Sequence, residues 1–268
     1  MVAQPSGSSR SKLPLTQEQA LKDNPYPVLN AAVGRVAEAQ PQVDPESLPA
    51  HESIAVSALV HGRVLLALPD EEPAALLVGF HGYAERAEDA LAALLRVAAG
   101  RPWAVAAPQA LHPFYRSKDG KVGACWMTSQ DRELALRENV AYANAAVAEL
   151  RARVPGARLA ILGFSQGVAM AYRAAAWCAA PVDALVVLAG DLPPELRQVR
   201  WAQRPAVLIG RGDREQWYTE EKMADDMATL QRLGIEHEVA RFTGGHDWDE
   251  AFVARTGEFL AAHLGGTR

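Results

Sequence analysis

A serine stands between two glycines in Gly163-Phe164-Ser165-Gln166-Gly167, where an apolar run stops and a helix-like run begins. A free serine hydroxyl is a weak nucleophile at neutral pH. It needs a base within hydrogen-bond reach, and that base needs a carboxylate to orient it. A turn that brings strand and helix into near contact on either side of the serine leaves no room for side chains there, which accounts for the glycines. Such a turn predicts a strained serine whose hydroxyl stands clear of the chain. The next helix then aims its first N–H groups at the site.

On a strand–turn–helix serine site the partners follow in the order Ser, then Asp or Glu, then His. Asp213, in Ile209-Gly210-Arg211-Gly212-Asp213, comes directly after an apolar run and is the expected acid. Asp191, in Ala189-Gly190-Asp191-Leu192-Pro193-Pro194, is its rival, although a turn before two prolines also explains it. His246, in Thr243-Gly244-Gly245-His246-Asp247, is the expected base, because the glycines let its loop approach the serine. His237 and His263 have adequate reasons in strand and helix ends, and His51, His61 and His112 lack a strand-end setting.

The oxyanion of an acyl-transfer intermediate needs two donors. The backbone N–H of Gln166 is one, and the backbone of Tyr83, in Phe80-His81-Gly82-Tyr83-Ala84-Glu85, is the expected other. His81 reads as a hydrogen-bonder that shapes this loop.

These residues need elements to hold them at strand ends. Short apolar runs at 75–80, 103–107, 158–162, 184–188, 206–209 and 237–242 read as buried strands. Helical periodicity covers 85–99, 131–153, 167–179, 219–233 and 248–264. The alternation predicts right-handed βαβ units, and hence a mostly parallel α/β sheet with helices on both faces and chemistry beyond the carboxyl ends of the strands. A starting hairpin is expected over 53–60 and 63–68, around His61-Gly62. Residues 1–50 read as an appendage: a Ser/Pro/Gly-rich head, a proline-broken helical stretch over Leu15 to Ala39, and a proline-punctuated linker. Residues 51–268 form the expected catalytic domain.

Composition narrows the function from the other side. A net charge of -5 offers no electrostatic footprint for nucleic acid. Two cysteines, Cys125 and Cys178, make no disulfide framework and no metal spacing, so both read as free thiols. No signal peptide and no long apolar span is seen, and the expectation is a cytoplasmic protein without a membrane span.

Phe80-His81-Gly82-Tyr83, Gly163-Phe164-Ser165-Gln166-Gly167, Asp213 and Gly245-His246 together resemble the phospholipase/carboxylesterase family of α/β-hydrolases, which includes the acyl-protein thioesterases. The resemblance covers residues 60–265. It implies the α/β-hydrolase fold, a triad of Ser165, Asp213 and His246, an oxyanion hole from Tyr83 and Gln166, no cofactor, and hydrolysis of small-molecule esters or thioesters. Two departures are visible. The usual His-Gly-x-Gly-Asp becomes His81-Gly82-Tyr83-Ala84-Glu85, and His-Gly-x-x-Asp-x-x-Val-Pro becomes Ile209-Gly210-Arg211-Gly212-Asp213-Arg214-Glu215-Gln216-Trp217.

The segment 108–130 interrupts the strand–helix rhythm and carries His112, Phe114, Tyr115, Trp126 and Met127. Tyr83, Trp126, Met127 and Trp217 are the expected substrate-binding side chains, against the plainer reading that such aromatics pin a loop. Arg116, Lys118 and Lys121 serve equally as an anion-attracting or a solvated rim. Self-association into a homodimer is compatible with the sequence. Arg211-Gly212-Asp213 also spells an adhesion tripeptide, so the rival class is a non-catalytic ligand-binding protein on the same fold.

Overall fold

The computed structural model describes residues 50–117 and 120–265. The chain divides into two units, 1–58 and 59–268. Most of the first, including the helix expected between Leu15 and Ala39, lies outside the described residues. Every strand and helix described belongs to the second.

Apolar runs become strands where both faces can be buried. Along β2 (Ala75–Phe80), Leu76, Val78 and Phe80 enter one core layer while Ala75 and Leu77 enter the other. The two-residue alternation of a strand thus supplies both faces at once. β6 (Arg158–Phe164) does the same with Leu159 and Ile161 on one side and Ala160, Leu162 and Phe164 on the other. Each of the Leu, Ile, Val and Phe side chains among these contributes about 1.5–3 kcal/mol by burial, so truncating fully buried Ile161 to Ala costs about 2–5 kcal/mol.

The main sheet has seven strands in the order β1-β3-β2-β6-β7-β8-β9, where β1 is Val64–Ala67, β3 Trp103–Pro108, β7 Ala184–Leu188, β8 Ala206–Gly212 and β9 His237–Phe242. All neighbours are parallel except β1, which runs antiparallel to β3. Helices α2 (Arg132–Arg153), α3 (Gln166–Trp177) and α4 (Glu220–Arg232) feed one core layer, and α1 (Ala87–Ala98) and α5 (Glu250–Leu264) the other. No helix of the described residues is long and apolar enough to cross a membrane.

The starting hairpin does not form. Residues 53–62 hold no strand, and β1 pairs instead with β3 through Val64↔Pro108 to Ala67↔Val105. Apolar content in 53–60 does not by itself supply a pairing partner. The interruption at 108–130 contains a hairpin of its own, β4 (His112–Tyr115) against β5 (Val122–Cys125).

The chain order reverses between β2 and β6: β3 lies on one side of β2, and β6 on the other. Ligand crevices of open α/β sheets form at such switch points. Phe80 pairs with Gly163, so the loop after β2 and the turn after β6 leave the sheet side by side.

Candidate active site

Ser165 sits in that turn with φ 52° and ψ -120°, a conformation few non-glycine residues adopt. Strain of this kind costs on the order of 1–3 kcal/mol and persists only where the surroundings enforce it. The two glycines show what enforces it. A Cβ on Gly163 would lie 2.6 Å from the Gly167 carbonyl oxygen, and one on Gly167 would lie 2.1 Å from that of Phe80. Strand, turn and helix pass in backbone contact, and the serine is the residue left to point outward.

Ser165 Oγ lies 2.8 Å from His246 Nε2, and His246 Nδ1 lies 2.5 Å from Glu215 Oε2. A carboxylate accepts, so Nδ1 carries the proton and Nε2 is left to accept the serine O–H. The imidazole packs on the Phe164 ring at 5.0 Å. Glu215 Oε1 accepts from the backbone N–H of Trp217 at 2.6 Å and of Tyr218 at 3.2 Å. Burial alone would raise this carboxyl, but the Trp217 N–H, the His246 ring and the Tyr218 N–H outweigh it and hold Glu215 below the ordinary glutamate value.

The acid facing His246 is therefore not Asp213. That carboxylate accepts from Gly244 N–H at 3.0 Å and stands 3.6 Å from Arg214, with its side chain 55% exposed. The reason is the length of β8, which continues to Gly212 instead of stopping at the predicted Ile209. The strand end moves three residues on, and the carboxylate that turns into the site comes from two residues past Asp213. The missed signal lay in the same motif: placing its glycine on Gly212 rather than Gly210 puts the acid at Glu215. The rival, Asp191, lies 3.9 Å from Lys222 Nζ.

Arg211 holds the acid loop from beneath. It donates from Nε to the Tyr218 carbonyl at 2.7 Å, from Nη2 to the Glu215 carbonyl at 3.1 Å and from Nη1 to Glu220 at 2.8 Å. At 8% exposure it is not displayed as part of an adhesion tripeptide.

The loop after β2 is held by buried and partly buried hydrogen bonds. His81 is fully buried; Nδ1 donates to the Gly82 carbonyl at 2.7 Å, and Nε2 accepts from Ala110 N–H at 3.0 Å. Burial pushes its pKa down, so it is neutral and structural. Glu85 Oε2 accepts from Gly82 N–H at 2.7 Å. Ala84, where the related motif carries glycine, has φ 63°. Its flanking backbone bonds to Ala124 on β5, Ala84 N–H to Ala124 O at 3.0 Å and Ala124 N–H to Glu85 O at 2.9 Å. A Cβ on Gly82 would lie 3.3 Å from Ser165 Cβ, so this loop borders the nucleophile.

The Gln166 side chain ties in the segment after β5. Its Oε1 accepts from Trp126 N–H, and its Nε2 donates to the Met127 carbonyl, both at 2.9 Å. The backbone N–H of Gln166 is among the first of α3, which have no partner inside the helix.

A cleft of about 520 Å³ opens on Ser165 and His246. Of the expected substrate-binding residues, Trp126, Met127 and Trp217 line it. Trp126 is fully buried and its indole N–H donates to the His81 carbonyl at 2.9 Å, so it also supports the loop. Tyr83 is not among the lining residues; its ring lies 5.6 Å from that of Phe114 on β4. Arg132, Arg173 and Lys222, none of them picked out from sequence, do line the cleft. The signal for Arg173 was its helical spacing from Gln166 and Ala169.

No protein-family model and no curated protein matches the sequence. Solved structures match well. The esterase PE8 is 24% identical over 77% of this chain and 100% of its own, with a TM-score of 0.61. A Bacillus cereus carboxylesterase is 14% identical, covering 75% of this chain and 94% of its own, with a TM-score of 0.62. A phospholipase/carboxylesterase from Dyadobacter fermentans is 15% identical, covering 78% and 99%, with a TM-score of 0.57. With the strand order, the switch-point crevice and the turn at Ser165, this likeness establishes that the chain has the α/β-hydrolase fold of those enzymes.

Proposed function

We propose that the chain is a serine hydrolase of the phospholipase/carboxylesterase type, cleaving carboxylic esters or thioesters through an acyl-enzyme. What carries the reading is the unbroken relay from Ser165 Oγ through His246 to Glu215, with bond lengths of 2.8 and 2.5 Å. Nothing in the fold's own stability calls for a strained serine on a histidine backed by a buried carboxylate.

In this reading Ser165 Oγ attacks the substrate carbonyl carbon as His246 Nε2 takes its proton. Glu215 stabilises the resulting imidazolium and keeps its orientation. The carbonyl oxygen becomes an oxyanion facing the backbone N–H groups of Gln166 and Tyr83. The tetrahedral intermediate collapses, His246 returns the proton to the departing alkoxide or thiolate, and the acyl group stays on Ser165. Water, deprotonated by His246, then attacks the acyl carbon, and the acid leaves as Ser165 regains its proton.

Ser165→Ala is expected to lower hydrolysis of a p-nitrophenyl ester by about 10⁶-fold, as loss of the nucleophile does in another serine hydrolase. A fluorophosphonate probe is expected to label the native chain at Ser165. Folded protein that takes no label would favour the non-catalytic ligand-binding alternative.

A further inference from the structure

Three cations line the cleft, Arg132, Arg173 and Lys222; Arg173 pairs with Glu195 and Lys222 lies 3.9 Å from Asp191. Gln166, Ala169 and Arg173 lie three or four positions apart on α3 and share the face that lines it. Arg173 stands eight residues beyond Ser165, about 12 Å along the helix, and its side chain leans back toward the helix N-terminus. That side chain is 2% exposed. Its Nε and Nη2 converge on one oxygen, Glu195 Oε1, at 2.8 and 2.6 Å, while Nη1 has the Met170 sulfur at 4.0 Å.

Arg132, the first residue of α2, lines the same cleft with Nη1 on the Met127 sulfur at 3.3 Å. Both guanidinium groups thus present N–H donors to thioethers, which are weak acceptors. Burial lowers the pKa of Arg173; Glu195 opposes that and Arg132 adds to it, so the two cations feel each other. Lys222 is a third lining cation, and Asp191, 3.9 Å from it, is the one carboxylate among the lining residues. An uncharged acyl chain gains nothing from a desolvated guanidinium. Glu195 already takes Nε and Nη2 of Arg173, so an anion would supply the acceptor that Arg173 Nη1 and Arg132 Nη1 lack, each now facing a thioether, and would lessen the repulsion between them.

We infer that the cleft takes an ester or thioester bearing a second, anionic group, a carboxylate or a phosphate, held by Arg173 and Arg132 while the carbonyl meets Ser165. The inference rests on the hydrolase reading above and goes beyond it in naming the substrate class.

The test compares kcat/KM for p-nitrophenyl hexanoate with that for mono-p-nitrophenyl adipate, an acyl chain of equal length ending in a carboxylate. A third substrate, hexanoyl glycerol phosphate, places the anion on the alcohol instead and is followed by acid release. The expected result is a preference of at least about tenfold for one charged substrate over its neutral counterpart, hexanoyl glycerol in the third case. That preference should fall to near unity in both Arg132→Gln and Arg173→Gln. If Arg173→Gln does not fold, Arg132→Gln and the loss of the preference at raised salt carry the test. Serine-dependent hydrolysis of the neutral ester with no charged preference, or a preference that survives Arg132→Gln, overturns the inference and leaves the hydrolase reading standing. No serine-dependent hydrolysis of any of the substrates overturns both.

Discussion

Glu215 Oε2 lies 2.5 Å from His246 Nδ1, while Asp213, two residues earlier, gives its carboxylate to Gly244 N–H at 3.0 Å. The two acids therefore have different expected costs. In Glu215→Gln the amide does not stabilise an imidazolium, and its N–H₂ favours the wrong imidazole tautomer. A kcat loss of roughly 10⁴-fold is expected with KM little changed, the size of the analogous loss in a serine protease. Asp213→Asn keeps an oxygen for Gly244 N–H and is expected to lose less than about tenfold. Steady-state kinetics on one p-nitrophenyl ester separates them, and comparable losses at both positions would contradict the assignment of Glu215.

The glycines of the site divide by what surrounds them. A Cβ on Gly167 meets backbone at 2.1 Å and has nowhere to go, whereas one on Gly245, beside His246, finds nothing within 4 Å. Gly167→Ala is expected to destabilise by about 3 kcal/mol or more, since relief requires moving β2 against α3. Gly245→Ala is expected to stay within about 0.5 kcal/mol of the native chain. Urea denaturation of both variants checks the contrast.

What could be read in advance, and what could not, follows the same division between local and distant causes. The strands β2, β6 and β7 are buried on both faces, so their apolar runs announce them. The turn at Ser165 is a local steric problem with a local solution in glycine. The acid is different, because which carboxylate reaches His246 depends on where β8 ends. Arg211 looked like loop, yet it lies in the strand, since its guanidinium finds the carbonyls of Tyr218 and Glu215. The helical spacing of Arg173 puts it on the face of Gln166 and Ala169, but that a charge can be buried there depends on Glu195, 22 residues further on, which meets it. The β4–β5 hairpin owes its place to backbone bonds between Ala124 and the loop at Ala84; Gly123 permits that approach, since a Cβ there would lie 2.4 Å from the Ala84 carbonyl oxygen, but a lone glycine does not say which loop it meets.

Ala84 tests a departure from the related motif. An alanine at φ 63° carries a left-handed penalty of about 1–2 kcal/mol that glycine does not. Part of the gain on replacement is offset by the freer unfolded chain. Ala84→Gly is expected to stabilise by about 0.5–1 kcal/mol and to raise Tm by about 1–4 °C. A lower Tm in differential scanning calorimetry would show that the Cβ makes contacts worth more than the strain.

Two carboxylates of the site should respond to pH with opposite sign. Glu215 is held below the ordinary glutamate value of 4.5, since hydrogen bonds from Trp217, His246 and Tyr218 overcome its burial. The unfolded chain then binds more protons between the two values, so this contribution is complete above pH 4.5 and is lost as pH falls through the folded value. Glu85 is raised, by burial first and against the Gly82 N–H bond, so its ionisation costs stability as pH rises through its folded value. Glu215→Gln should therefore lose stability relative to the native chain above pH 4.5 and converge with it in acid. Glu85→Gln, which keeps an oxygen for Gly82, should match the native chain in acid and gain on it as pH rises. Denaturation of the three proteins across pH 3 to 7 reads both differences, and if the two move in the same direction one of these environments is wrongly described.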